Sequence, residues 1–133
     1  MVFAVVLLFF GVEHVLHPEF APGVPLKQST PAWMPLRFAW GYCIGAALLV
    51  TGVAILIDKH ARAAATWLGV AVTLVVLLLY LPMLAVSTGL SGVTVALNDL
   101  FDTLLFAGSI FLFAASIPGS PSGYARANPP LPE

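Results

Sequence analysis

Charge is what this chain lacks most. Only 8% of its 133 residues are charged, five basic and six acidic, for a net charge of −1. A soluble domain is usually about a quarter charged, and no basic footprint exists for nucleic acid. Cysteine is almost as scarce. Cys43 stands alone, which excludes an intramolecular disulfide and any cysteine-based zinc pattern, and its apolar setting reads as that of a small packing residue. The N-terminus lacks a basic leader and a small-residue cleavage site, so it does not read as a signal peptide. No phosphate loop, nucleotide fingerprint or nucleophilic triad is present.

Apolar residues fill the space that charge leaves. The chain is 60% hydrophobic, with a mean hydropathy of +1.02. A soluble fold of this size cannot bury so much apolar surface, which makes this an integral membrane protein with the lipid bilayer as its surroundings. Four apolar segments stand out, at about 2–17, 36–57, 63–86 and 98–117, each without the alternation of a barrel strand. Only helices and closed barrels span lipid. The fold expected is therefore all-α: an up-down bundle of four transmembrane helices over residues 1–117. A flexible Pro/Gly-rich tail follows at 118–133. Glu13 interrupts the first segment early, so either the native start lies upstream or this helix begins abruptly at Met1.

The connections differ in kind. The first, "PEFAPGVPLKQSTPAW", carries Pro18, Pro22, Pro25 and Pro31 and reads as irregular or as a short interfacial segment. The second, "DKHAR", is a tight charged turn. The third, "STGLSGVT", is small and uncharged. Trp33, Trp40 and Trp67 sit near helix ends, as in aromatic belts. Lys59, Arg62 and Arg126 outnumber Lys27 and Arg37, which places both termini and the second loop in the cytoplasm by the positive-inside rule. Gly41 and Gly45 form a G-x-x-x-G in the second segment. It serves close packing inside the bundle or a dimer face.

An up-down topology puts the first and third loops on one side, and the polar residues of the spans gather there. Glu13, His14 and His17 close the first helix, Arg37 opens the second, Tyr80 ends the third, and Asn98, Asp99 and Asp102 open the fourth. Glu13 and His17 are four apart and share a face; His14 and His17 are three apart. A lipid-facing carboxylate is costly, so Glu13 and Asp102 should turn inward, toward Arg37 or a protonated histidine. Simpler roles stand beside these. Asn98 and Asp99 suit a helix N-cap and first turn, His14 and His17 suit a solvated helix end, and Arg37 suits a snorkelling anchor. A metal site would use the same nitrogen and oxygen ligands. However, no E-x-x-H recurs on two helices, and no two histidines face each other from different helices. Proton-coupled quinone chemistry fits better, since it needs an apolar slot and a carboxylate or histidine that moves a proton. On this reading Glu13, His17 and Asp102 are the catalytic candidates. His14, Arg37, Tyr80 and Asp99 are the candidates for quinone or polar-cluster contacts.

"FFGVEHVLHPEFAPGVP", "WGYCIGAALLVTGVAIL" and "LNDLFDTLLFAGSIFLFAAS" together resemble the DoxX-like family, over roughly residues 2–116. The resemblance implies a bacterial or archaeal inner-membrane protein of four transmembrane helices, linked to membrane redox complexes of the thiosulfate:quinone oxidoreductase kind. It implies a redox partner protein, and it carries no firm catalytic residues. Two other functions compete. One is a non-catalytic assembly subunit, a partner-holding or homo-oligomeric protein using the Gly41–Gly45 face and the first loop. The other is a small transporter, which would need polar residues through the whole membrane depth.

Overall fold

The computed structural model describes residues 1–23, 26, 29–32 and 34–118. The expectations for Pro25, Lys27, Trp33 and the tail beyond Pro118, Arg126 included, fall outside the described residues. Four helices follow in order: α1 (Val2–Leu16), α2 (Arg37–Leu56), α3 (Ala61–Val86) and α4 (Gly89–Ser116). The described residues contain no strand, only an isolated antiparallel bridge between Phe20 and Ser29. Helices α2, α3 and α4 are long and apolar enough to cross a membrane, and α1 is a shorter apolar helix. Their outer surface suits lipid: Leu105, Leu112 and Trp67 are each about three-quarters exposed.

Neighbours in the chain pack as neighbours in space, α1 on α2, α2 on α3 and α3 on α4. The helices run antiparallel. Gly52 lies against Ala4 and Leu8, whereas Gly41 lies against Pro18 at the other end of the same pair. Phe3 and Phe113 stack at 4.5 Å and close the ring of helices. The Gly41–Gly45 motif is used inside the bundle. A Cβ on Gly41 would sit 2.8 Å from the Pro18 backbone, and one on Gly45 would sit 3.0 Å from the His14 Cβ. Small residues let two backbones approach where lipid provides no hydrophobic drive, and here that approach joins α2 to α1. Within the chain this face is therefore covered by α1 and Pro18. Cys43, on the opposite side of α2, is exposed rather than packed in the core.

Two elements depart from expectation. Helix α4 starts at Gly89, well ahead of Asn98, because most of "STGLSGVT" is helical; only Ser87 and Thr88 link it to α3. Glycine and serine punctuate soluble chains, but glycine is tolerated in membrane helices. Asn98 and Asp99 are thus not caps. At 1.5 Å per residue, Asp99 and Asp102 lie about 15 and 20 Å from the start of α4, close to its midpoint. Helix α3 contains a π-helical turn, Val76–Tyr80, in which the Leu81 N–H donates to the Val76 carbonyl. Pro82 follows after Leu81. Its ring lacks an N–H and crowds the preceding turn, and the wider π turn accommodates both. The extra residue brings adjacent pairs inward: Val75 with Val76, and Leu79 with Tyr80, are all buried.

Candidate functional site

Helix α1 ends beside Gly41, near the start of α2, and that end builds the site. Pro18 stops α1, with the His17 N–H donating to the Glu13 carbonyl at 2.9 Å as the last helical bond. The chain then folds into the space that α1 does not fill. The Thr30 backbone N–H donates to the Glu19 carbonyl at 2.9 Å, and Ala21, Pro22, Gly23, Thr30 and Met34 are buried. Irregular backbone at such a depth is tolerated only where protein covers it. One tertiary bond pins it: the Tyr80 hydroxyl, held inward by the π turn, donates to the Pro22 carbonyl at 3.1 Å. Thr103 stands within hydrogen-bonding reach of the same hydroxyl, and Asp99 lies nearby. The Thr103 hydroxyl itself donates to the Asp99 carbonyl at 2.8 Å.

His14 is the most enclosed polar side chain, with 0% exposure. Its ring Nδ1 lies 2.7 Å from the Phe10 carbonyl. A carbonyl only accepts, so Nδ1 carries the proton in that bond and Nε2 is left as an acceptor. Nε2 is fully buried and meets no hydrogen-bond partner among the described residues. The ring lines a cavity of about 10 Å³ together with Pro22, Val72, Thr103 and Phe106, a volume that suits one water molecule. Residues from α1, the first loop, α3 and α4 therefore meet around one imidazole. Thr103, on α4, is the one hydroxyl-bearing residue of that lining.

The seven candidate residues separate into two sets. His14, Tyr80 and Asp99 are buried and face the interior. Glu13, His17, Asp102 and Arg37 have other neighbours. His17 is solvent-exposed and pairs with Glu19 at 3.5 Å. It no longer shares a face with Glu13, because Pro18 takes it off the helical track (φ −126°). Glu13 is half-buried at the end of α1. Asp102 lines an open groove on the outer face of α4, where Asn98 Nδ2 donates to its Oδ2 at 3.4 Å. Arg37 is exposed at the start of α2, its guanidinium 4.7 Å above the Phe38 ring, in a groove of about 360 Å³ shared with Met34, Leu36 and Phe38.

Thr103 and the Pro22 carbonyl were missed in the sequence. Thr103 was within reach, being four residues after Asp99 on the same face of α4. The Pro22 carbonyl carried no signal, since nothing in "FAPGVP" reveals that its backbone enters the bundle. Comparison with known proteins finds no matching family model, no similar curated protein and no similar solved structure.

Proposed function

We propose that this chain is a proton-handling membrane subunit of a quinone-linked redox complex, of the DoxX-like kind, acting in a bacterial or archaeal inner membrane. One observation supports the reading: His14 is a buried imidazole whose Nε2 meets no hydrogen-bond partner among the described residues, and the residue lines a small cavity together with Thr103, inside an apolar bundle. Intramembrane ionisable groups are expensive, and they are retained for function by default. Bound quinone would take up two electrons, supplied through a redox partner, and two protons. This chain's share is the proton. His14 Nε2 accepts it, and the hydroxyls of Thr103 and Tyr80 give it a short path toward the first loop. The cavity at His14 does not fit a quinone ring, whose sites measure hundreds of Å³. The Arg37 groove has that size, and a guanidinium there can donate to a ring carbonyl.

The test is quinone reduction, with thiosulfate or sulfite as donor, by the complex isolated from membranes with its redox partner. Wild type should turn over, and Arg37→Ala should raise the KM for a short-chain quinone by about tenfold while kcat holds. An absence of turnover with either donor would overturn the redox reading and favour the assembly subunit. An unchanged KM would remove the Arg37 groove as the docking place.

A further inference from the structure

The hydroxyls of this site have spent their protons. The Thr103 hydroxyl donates to the Asp99 carbonyl at 2.8 Å, and the Tyr80 hydroxyl donates to the Pro22 carbonyl at 3.1 Å. Each keeps only lone pairs for a further neighbour. His14 Nε2 is an acceptor as well, because Nδ1 carries the ring proton to the Phe10 carbonyl at 2.7 Å. With Nδ1 held by its own helix, Nε2 must find its partner elsewhere. It is fully buried, and no donor among the described residues reaches it.

Two acceptors cannot bond to each other. Whatever satisfies both His14 Nε2 and Thr103 Oγ1 must bring two donor hydrogens. It must also be small. Both residues line the same cavity, whose volume is about 10 Å³, room for a single water. The other side chains of the lining, among them Ile44, Val72, Val75 and Phe106, are apolar and offer no competing partner. A buried polar atom without a partner is costly, and internal waters commonly meet that cost.

We infer that this cavity is the binding site of one structural water, which donates one hydrogen to His14 Nε2 and the other to Thr103 Oγ1. The water joins α1 to α4 at a level where α1 packs on α2 instead. It also holds the imidazole in the tautomer that the Phe10 bond selects. The site stands without the quinone reading; only a share for this water in moving the proton rests on that reading.

The test uses the full chain in phosphatidylcholine vesicles. His17→Gln and His60→Gln, both at exposed positions, leave His14 as the single histidine, which is labelled with nitrogen-15. Solid-state NMR should show Nδ1 protonated and Nε2 bare, with magnetisation passing from water to the ring. Thr103→Val keeps the side-chain shape and removes the hydroxyl. It should cut that transfer by about fivefold or more, since a buried water needs at least two polar partners, while helix content by circular dichroism holds. Thr103→Ser restores the hydroxyl and should restore the transfer. No transfer to the ring, a protonated Nε2, or a transfer that ignores Thr103→Val would each overturn the inference. No donor, quinone or redox partner enters this experiment. A missing water beside intact turnover would therefore strike this inference alone, and a water present without turnover would strike the redox reading alone.

Discussion

His14 and His17 lie one turn apart in the chain and in opposite environments. His14 is sealed among four elements of the bundle, whereas His17 is exposed and paired with Glu19. The difference comes from Pro18, which ends the helix before His17 can follow the i, i+3 geometry of its neighbours. Helical spacing therefore read Glu13, His14 and His17 as one cluster, and the end of the helix divided them. Tyr80 shows the converse. A phenol near the end of a span suggested a loose contact, and the π turn made it the anchor of the first loop. Tyr80→Phe removes the donor and leaves the buried Pro22 carbonyl without it. The expected cost is about 1–2 kcal/mol, read by denaturant titration in detergent micelles and by faster proteolysis within the first loop. Tyr42→Phe, on the exposed side of α2, should change neither.

At the scale of elements, two contacts between helices explain the arrangement. Glycines of α2 take the backbone of α1 and of the residue after it, and phenylalanines of α4 fill the space beside Gly69 and Phe3. The first contact was legible as a motif, because Gly41 and Gly45 are four apart on an apolar helix; which helix they meet was not, since a small-residue face fits any close neighbour. The prediction is sharp there. Gly41→Ala places a Cβ 2.8 Å from the Pro18 Cα, a backbone atom that cannot rotate away. It should destabilise the bundle by about 1–3 kcal/mol. Gly92→Ala, whose Cβ meets nothing within 4 Å, should be neutral or gain about 0.5–1 kcal/mol from helix propensity. Equal effects of the two would show that α1 does not seat on α2 at Pro18. The start of α4 was not legible at all. Gly89, Ser91 and Gly92 have the chemistry of a turn, and nothing in the structure explains the extra helical turns, since none of the residues 89–95 is buried.

The whole molecule is an all-helical membrane bundle in which the shortest helix is followed by a loop that folds back into the interior. Class and helix number followed from the scarcity of charge and the length of the apolar runs. The polar site followed only in part. Its members had to come from the interior faces of α1, α3 and α4 and from a loop backbone, and one-dimensional spacing does not show which face turns inward. The same ambiguity applies to Asp102, which was expected to complete an interior cluster and instead lines an open groove on the outer face of α4.

The account rests on His14 being the group that moves the proton. The measurement that tests it most directly is the kcat of quinone reduction for His14→Gln, Glu13→Gln and His17→Gln, side by side in vesicles that also carry the redox partner. Glutamine keeps a polar side chain at each position and cannot exchange a proton at neutral pH. The account predicts a loss of about a hundredfold or more for His14→Gln, with the other two within a factor of about three of wild type. Full turnover in His14→Gln, or a collapse confined to Glu13→Gln, would contradict it.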